Sequence, residues 1–195
     1  MILYLDTETT GLRPGQICQL SYVMQYADKT ICKNKFFTVD YIEPSAVAIH
    51  GLSVEKLKQL SNNKRFADFA KEIVEDLSSA DLVVAHNYSF DEMFLRKEFE
   101  LINQPFCIKK EFCSMKKTTP ICKLVGRRSG YKYPKLSELT CFLGITDSQI
   151  LLETKKLFGN GVGFHDARFD TVAVYLAMKK GMDTQPELSV LREYL

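Results

Sequence analysis

The apolar run Met1-Ile2-Leu3-Tyr4-Leu5 passes directly into Asp6-Thr7-Glu8-Thr9-Thr10-Gly11, and no other stretch limits the chain as strongly. The run is short, rich in β-forming residues and closed by an acid, which predicts a buried strand. Side chains alternate across a strand, so Asp6 and Glu8 emerge on the same side. Two carboxylates side by side repel unless a proton or a metal ion relieves them. The Thr-Thr-Gly that follows supplies hydroxyls and backbone N–H groups, and its glycine lets a ligand come close to the backbone. A strand end with a polar turn is the plainer reading of an isolated Asp-x-Glu; two later stretches turn the argument by supplying partners for a metal site.

Arg13-Pro14-Gly15 reads as a turn, and Ile17 to Tyr26 and Thr30 to Val39 as an antiparallel hairpin that completes a three-stranded meander. Glu43-Pro44 is expected to break the chain. Ser53 is placed to cap a short helix through Leu60. His50, just before Gly51, is either a ligand contact or a turn histidine without a role. Phe66, Phe69, Ala70, Ile73, Val74 and Leu77 fall at helical spacing, predicting an amphipathic helix over 65–78. Asp81 to Ala85 is then a strand running into His86-Asn87-Tyr88-Ser89-Phe90-Asp91, where Ser89 and Glu92 have capping-box spacing. Asp91 in a first helical turn suits the helix dipole and a metal site equally.

Leu136, Leu139 and Leu143 predict a helix stopped by Gly144, and Gln149 to Phe158 predicts another. Gly159-Asn160-Gly161-Val162-Gly163 lacks the strand and the spacing of a nucleotide cradle. Asp166 is a natural N-cap for a helix whose apolar face is Val172, Ala173, Leu176 and Ala177. That puts His165 just outside the helix and Asp170 in its second turn.

Length (195 residues) and 46% hydrophobic composition suit a single domain over 1–195 with a sizeable core. No stretch is apolar enough to span a bilayer, and the first residues read as a strand rather than a leader, so a cytoplasmic protein without a membrane partner is expected. Cys18, Cys32, Cys107, Cys113, Cys122 and Cys141 form no Cys-x-x-Cys pair and read as reduced packing residues. The net charge of +2 is uneven: residues 107–135 hold nine basic residues against one acid (+8), and the remainder 17 against 23 (−6). Such a block fits either a solvated loop or a segment that guides a polyanion.

Asp6, Glu8, Asp91 and Asp170 are thus four acids at element ends, with His165 as a titratable neighbour. Oxygen ligands without cysteine favour Mg²⁺ or Mn²⁺. Two such ions about 4 Å apart can stabilise the attacking and leaving oxygens of a phosphoryl displacement, and a histidine can take the proton of the attacking water. No Gly-x-Ser-x-Gly elbow and no phosphate-binding loop is present.

Asp6-Thr7-Glu8-Thr9-Thr10-Gly11, His86-Asn87-x-x-Phe90-Asp91 and His165-x-x-x-x-Asp170 resemble, in order and across almost the whole chain, the three motifs of the DEDDh 3′–5′ exonuclease superfamily. That group includes proofreading subunits of bacterial replicative polymerases, RNase T and oligoribonuclease. Ile49-His50-Gly51-Leu52 and Tyr133-Pro134-Lys135-Leu136 resemble further landmarks of its members. The resemblance implies a ribonuclease H-like α/β fold, a mixed five-stranded sheet with helices on both faces. It implies that Asp6, Glu8 and Asp170 hold one of two Mg²⁺ (or Mn²⁺) ions, that Asp6 bridges to the second, that Asp91 acts through bound waters and that His165 is the general base. Thr9, Thr10, Gly11 and Leu12 would line the terminal nucleotide, with His50, Asn87 and Phe90 nearby; all three histidines then fall within the site, with packing alone as the other reading of His86. The expected function is hydrolysis of single-stranded nucleic acid, DNA favoured, from a free 3′ end to nucleoside 5′-monophosphates, with a DNA polymerase as a further partner. RNA trimming and a catalytically silent nucleic-acid or polymerase-binding module are the alternatives.

Overall fold

The computed structural model describes residues 1–13, 15–127, 130–161 and 165–195. Pro14 of the expected turn, Arg128 of the basic block, and Val162 and Gly163 of the glycine-rich stretch lie outside the described residues. Strands β1 (Ile2–Thr9), β2 (Ile17–Gln25), β3 (Thr30–Phe36), β4 (Leu82–Ala85) and β5 (Glu111–Cys113) form one sheet in the order β3-β2-β1-β4-β5. The meander β1-β2-β3 is antiparallel, whereas β4 and β5 run parallel to β1. This is the mixed five-stranded, ribonuclease H-like sheet expected.

Alternation along β1 divides the core between two helical layers. Ile2 and Tyr4 pack with Val23, Leu82 and Val84 against α8 (Ala167–Thr184), whose Val172, Ala173 and Ala177 are buried. Tyr4 is fully covered, with its ring 5.4 Å from Tyr175 and its hydroxyl donated to Gln25 Oε1 at 2.8 Å. Leu3 and Leu5 face the other layer, where α3 (Ala70–Ser79) and α4 (Tyr88–Leu101) bring Ile73, Leu77, Phe94, Leu95 and Phe99. Each such side chain contributes about 1.5–3 kcal/mol by leaving water. A third cluster joins Cys18 and Val39 to α1 (Pro44–His50) and α2 (Val54–Leu60).

Several expectations need correction. Pro44 opens α1 instead of breaking the chain, because a first-turn N–H needs no helical partner. The helix expected over 65–78 begins as a 3-10 turn, Phe66–Phe69, before α3. The Ser89–Glu92 capping box does not form: α4 starts at Tyr88 behind Asn87 in a left-handed conformation (φ 69°), and Glu92 pairs with Arg96. The second hairpin strand ends at Phe36, short of Val39. The basic block is not one loop, since it contains β5 and α5 (Ser114–Cys122). Cys107 and Cys141 are exposed, and all six cysteines are free. Helices α6 (Leu136–Phe142) and α7 (Asp147–Phe158) form as expected, α7 starting two residues early behind a Thr146–Gln149 capping box. Among the described residues, no helix is long and apolar enough to cross a membrane.

Glu98, on α4, is buried and accepts the Ile17 N–H at 2.8 Å where β1 and β2 lose register at Glu8/Thr9. Burial lifts its carboxyl from 4.5 to about 7, against the opposing Ile17 hydrogen bond. For an acid raised in the folded state, ionisation costs stability. The cost is absent below the unfolded pKa, grows as pH rises and is complete above about 7. Glu98→Gln keeps the acceptor and cannot ionise. It should exceed wild type by about 1–3 kcal/mol in urea melts at pH 8 and match it at pH 4.5; equal stability at pH 8 would show that Glu98 folds without strain.

Candidate active site

The C-terminal ends of β1 and β4 and the start of α8 meet at one edge of the sheet. Because Asp6 and Glu8 share the face of Tyr4, they point toward α8, whose first turn carries Asp170. One carboxylate oxygen from each of Asp6, Glu8 and Asp170 lies within 4.8 Å of the others. Asp91 arrives from the opposite layer in the first turn of α4, and its Oδ1 accepts the Thr7 hydroxyl at 2.8 Å. Thr7 points away from its two acidic neighbours, which is why it reaches Asp91.

Asp91 is 2% exposed, and all four carboxyls are pushed up by burial first; at Asp6 and Glu8 the neighbouring carboxylates add to it. Asp6 rises well above its usual range, with Asp170, Asp91, Glu8 and Asp166 adding repulsion. Glu8 rises to about 8 through burial, Asp170, Asp166 and Asp91. Burial takes Asp91 to about 7, opposed by its Thr7 hydrogen bond, and Asp170 to about 6, opposed by His165. Clustered carboxylates that resist ionisation together, with only oxygen donors, fit a hard divalent cation. Ser21 lies directly opposite Asp6 on β2, and its buried hydroxyl has no partner among the described residues, one more oxygen beside the cluster.

The turn after β1 is braced from several sides. Thr9 Oγ1 donates to Gly11 O at 2.9 Å, Thr10 Oγ1 accepts the Gln16 N–H at 3.0 Å, and Glu43 N–H donates to Thr10 O at 2.8 Å. The Glu43 carboxyl stands where a side chain on residue 11 would be, within 2.4 Å of that position, so glycine gives it room. Leu12 projects into solvent, 79% exposed. Leu52 N–H donates to His50 Nδ1 at 3.1 Å, so the proton sits on Nε2, 3.2 Å from the Thr9 carbonyl. Burial holds His50 below its ordinary pKa, in keeping with this neutral brace.

His86 also has both ring nitrogens on neighbouring groups. The Pro134 carbonyl can only accept, so Nε2 donates to it at 3.0 Å, and Nδ1 faces the Ser114 hydroxyl at 3.0 Å. Its pKa is lowered by burial. Asn87 is exposed, and Phe90 packs against Phe94 with the rings tilted at 47° and 5.0 Å between centroids.

His165 is exposed, with φ 55°. A left-handed conformation costs a residue with a side chain about 1–3 kcal/mol and persists where neighbours enforce it. Asp166 caps α8 by accepting the Arg168 N–H at 3.0 Å, as expected, but Asp170 falls in the first turn, not the second. A cleft of about 430 Å³ opens beside His165, walled by Phe36, His50, Leu52 and Lys56. Thr7, Gln19, Glu98 and Arg168 were not singled out from the sequence. Gln19 and Ser21 did carry a signal, as polar residues in the interior of a mostly apolar strand.

No family model matches the chain. The DNA polymerase III subunit epsilon of Buchnera aphidicola subsp. Schizaphis graminum is 28% identical over 134 residues, covering 63% of this chain and 55% of the relative. The chain thus spans about half the length of this curated relative. The zinc-bound E. coli ExoI–single-stranded DNA complex superposes with a TM-score of 0.70 at 19% identity, over 97% of this chain and 42% of that one. The nuclease domain of 3'hExo, a DEDDh family member bound to rAMP, gives 0.66 at 12% identity over 95% and 93%.

Because the carboxyls are raised, their contribution to stability is full below their ordinary values, 3.8 to 4.5, and falls as they ionise up to about pH 8. In EDTA the protein should therefore melt at a lower temperature at pH 8.5 than at pH 5.5, and Mn²⁺ should reverse the loss. Asp170→Asn should melt above wild type in EDTA at pH 8.5 and gain less from Mn²⁺. A wild-type protein that melts higher at pH 8.5 in EDTA would contradict the repulsion account.

Proposed function

We propose that this chain, a relative of the DEDDh 3′–5′ exonucleases in sequence and fold, is a metal-dependent exonuclease that degrades single-stranded nucleic acid from a free 3′ end. The observation that carries the reading is the convergence of Asp6, Glu8 and Asp170 within 4.8 Å, flanked by Asp91 and His165. DNA is the favoured substrate because the relative is named as a DNA polymerase subunit and the ExoI neighbour holds single-stranded DNA. A DNA polymerase is the corresponding partner. The rAMP in the 3'hExo neighbour keeps RNA as the second reading.

Asp6, Glu8 and Asp170 would hold one Mg²⁺ or Mn²⁺, and Asp6 and Asp91 would serve a second. Bound there, the ions supply positive charge to the attacking and leaving oxygens of the phosphodiester. His165 takes the proton of the attacking water on its imidazole and, being exposed, passes it to solvent. Thr7 holds Asp91 in place. The braced Thr9-Thr10-Gly11 turn lies under the terminal nucleotide, and exposed Leu12 offers apolar surface to its base. Asn87 and Phe90 flank the same mouth.

Products should be nucleoside 5′-monophosphates, and activity should vanish with EDTA and return with Mg²⁺ or Mn²⁺. His165→Ala should lose about 10²–10⁴-fold in kcat, and Asp170→Asn nearly all turnover. Efficient cutting of a closed circle would rule the reading out. Matched DNA and RNA strands decide between the two substrates.

The basic segment 107–135 acts in this reading as a substrate-guiding arm, in part of its length. Lys109 and Lys110 precede β5, at the sheet edge away from the carboxylates, where Lys109 pairs with Asp81 at 2.8 Å and Lys110 covers the Tyr194 ring. Lys132 pairs with Glu138. Lys116, Lys117, Lys123, Arg127 and Lys135 are exposed, beside exposed Tyr131 and Tyr133, and the His86–Pro134 bond ties this stretch to the site edge. Changing Lys116, Lys117, Lys123 and Arg127 to Ala should flatten the dependence of log affinity on log salt by about 0.7 for every phosphate no longer neutralised. KM for long strands should rise while dinucleotide cleavage stays constant; an unchanged salt slope means a solvated surface only.

A further inference from the structure

Arg168 is committed to an arrangement that the carboxylate cluster does not use. Its Nε and one terminal nitrogen grip both oxygens of Asp166, at 2.9 and 2.6 Å. The same terminal nitrogen reaches the Gly161 carbonyl at 3.1 Å, and the guanidinium lies 5.7 Å from the centre of the Phe36 ring. Asp166 is also held from the sheet. The Gln19 amide donates to its Oδ1 at 2.9 Å and to Asn34 Oδ1 at 2.8 Å, while Gln19 Oε1 accepts the Ala167 N–H at 3.4 Å. Strands β2 and β3 and the first turn of α8 therefore converge on the residue next to His165, and the same cation binds the chain on the other side, at Gly161.

Burial works to raise the Asp166 carboxyl, but the Arg168 guanidinium and N–H and the Gln19 amide together hold it below its ordinary value. The pair is thus ionised throughout the neutral range. His165, between the two anchored points, holds a left-handed backbone (φ 55°) that surroundings must enforce.

We infer that Arg168 is a positioning residue, which latches Gly161 to Asp166 and so fixes the backbone that presents His165. The inference rests on the reading of His165 as general base. A planar guanidinium holds its donors in a fixed fork, which serves two carboxylate oxygens side by side and leaves an N–H for the carbonyl. An ammonium on a lysine stem lacks that fork.

The test compares wild type with Arg168→Ala, Arg168→Lys, His165→Ala and the double variant Arg168→Ala/His165→Ala, on a single strand with a free 3′ end. Arg168→Ala should lower kcat about 10–100-fold, the scale of a misplacement near 1 Å, with KM and calorimetric Mn²⁺ affinity held within about twofold. Arg168→Lys should recover only part of the loss. In the His165→Ala background, removing Arg168 should leave kcat within about twofold, because the group it positions is already gone. With three histidines in the chain, ring ¹H–¹⁵N spectra of the metal-free protein read the same effect without turnover: only the His165 signals should shift or broaden. Wild-type kcat in Arg168→Ala with an inactive His165→Ala overturns the latch and leaves the base reading standing. A full further loss in the double variant also overturns it, since Arg168 would then act elsewhere. Wild-type kcat in His165→Ala overturns the base reading itself. If Arg168→Ala does not fold, Arg168→Lys decides, and an unchanged kcat there sinks the latch.

Discussion

Strand β1 has a partner strand on each side and a helical layer on each face, and everything near the carboxylates follows from that position. A strand so enclosed must be apolar along most of its length, and Ile2 to Leu5 is. Its acids are tolerable only at the end, where the sheet edge opens. There the period of two sends Asp6 and Glu8 to α8 and Thr7 to α4, so one short segment addresses three carboxylates on one side and Asp91 on the other. The repulsion among these groups is a cost to the isolated fold, and a bound cation would relieve it.

The three histidines divide the work by burial. His50 and His86 use both ring nitrogens on neighbouring groups, the first bracing the turn after β1, the second tying the end of β4 to Pro134. Burial keeps both neutral. His165 alone stands in solvent, at the mouth, where a proton can be handed off. A ring with both nitrogens committed makes a poor base, so the proposed mechanism draws on His165.

Much of this was legible beforehand, because its determinants are local. The β1 run, the meander, the apolar stripe of α8 and the Asp166 cap all announce themselves within a few residues. What escaped depends on residues far apart. Whether Ser89 or Asn87 caps α4 is decided by how the chain leaves β4, which no spacing rule encodes. Strand β5 has three residues and exists because β4 offers an open edge, so its lysine-rich surroundings disguised it. Likewise the surroundings of Arg168, at Gly161, Asp166 and Phe36, come together only in the fold. Buried Gln19 was the visible clue left unused, since an amide inside an apolar strand must be serving someone.

The Thr7–Asp91 bond has a consequence for how chains of this kind can misfold. A slip of β1 by one position against β2 and β4 would turn every side chain to the opposite layer. Asp6 and Glu8 would then face α4, and Thr7 would face α8, far from Asp91. Leucines and isoleucine would still fill both layers, so a slipped chain could remain compact and rich in the same secondary structure. Its acid cluster, however, would be dismantled. Under the proposed function, nuclease activity recovered after refolding would therefore count only chains in correct register, a quantity that circular dichroism and size alone cannot report.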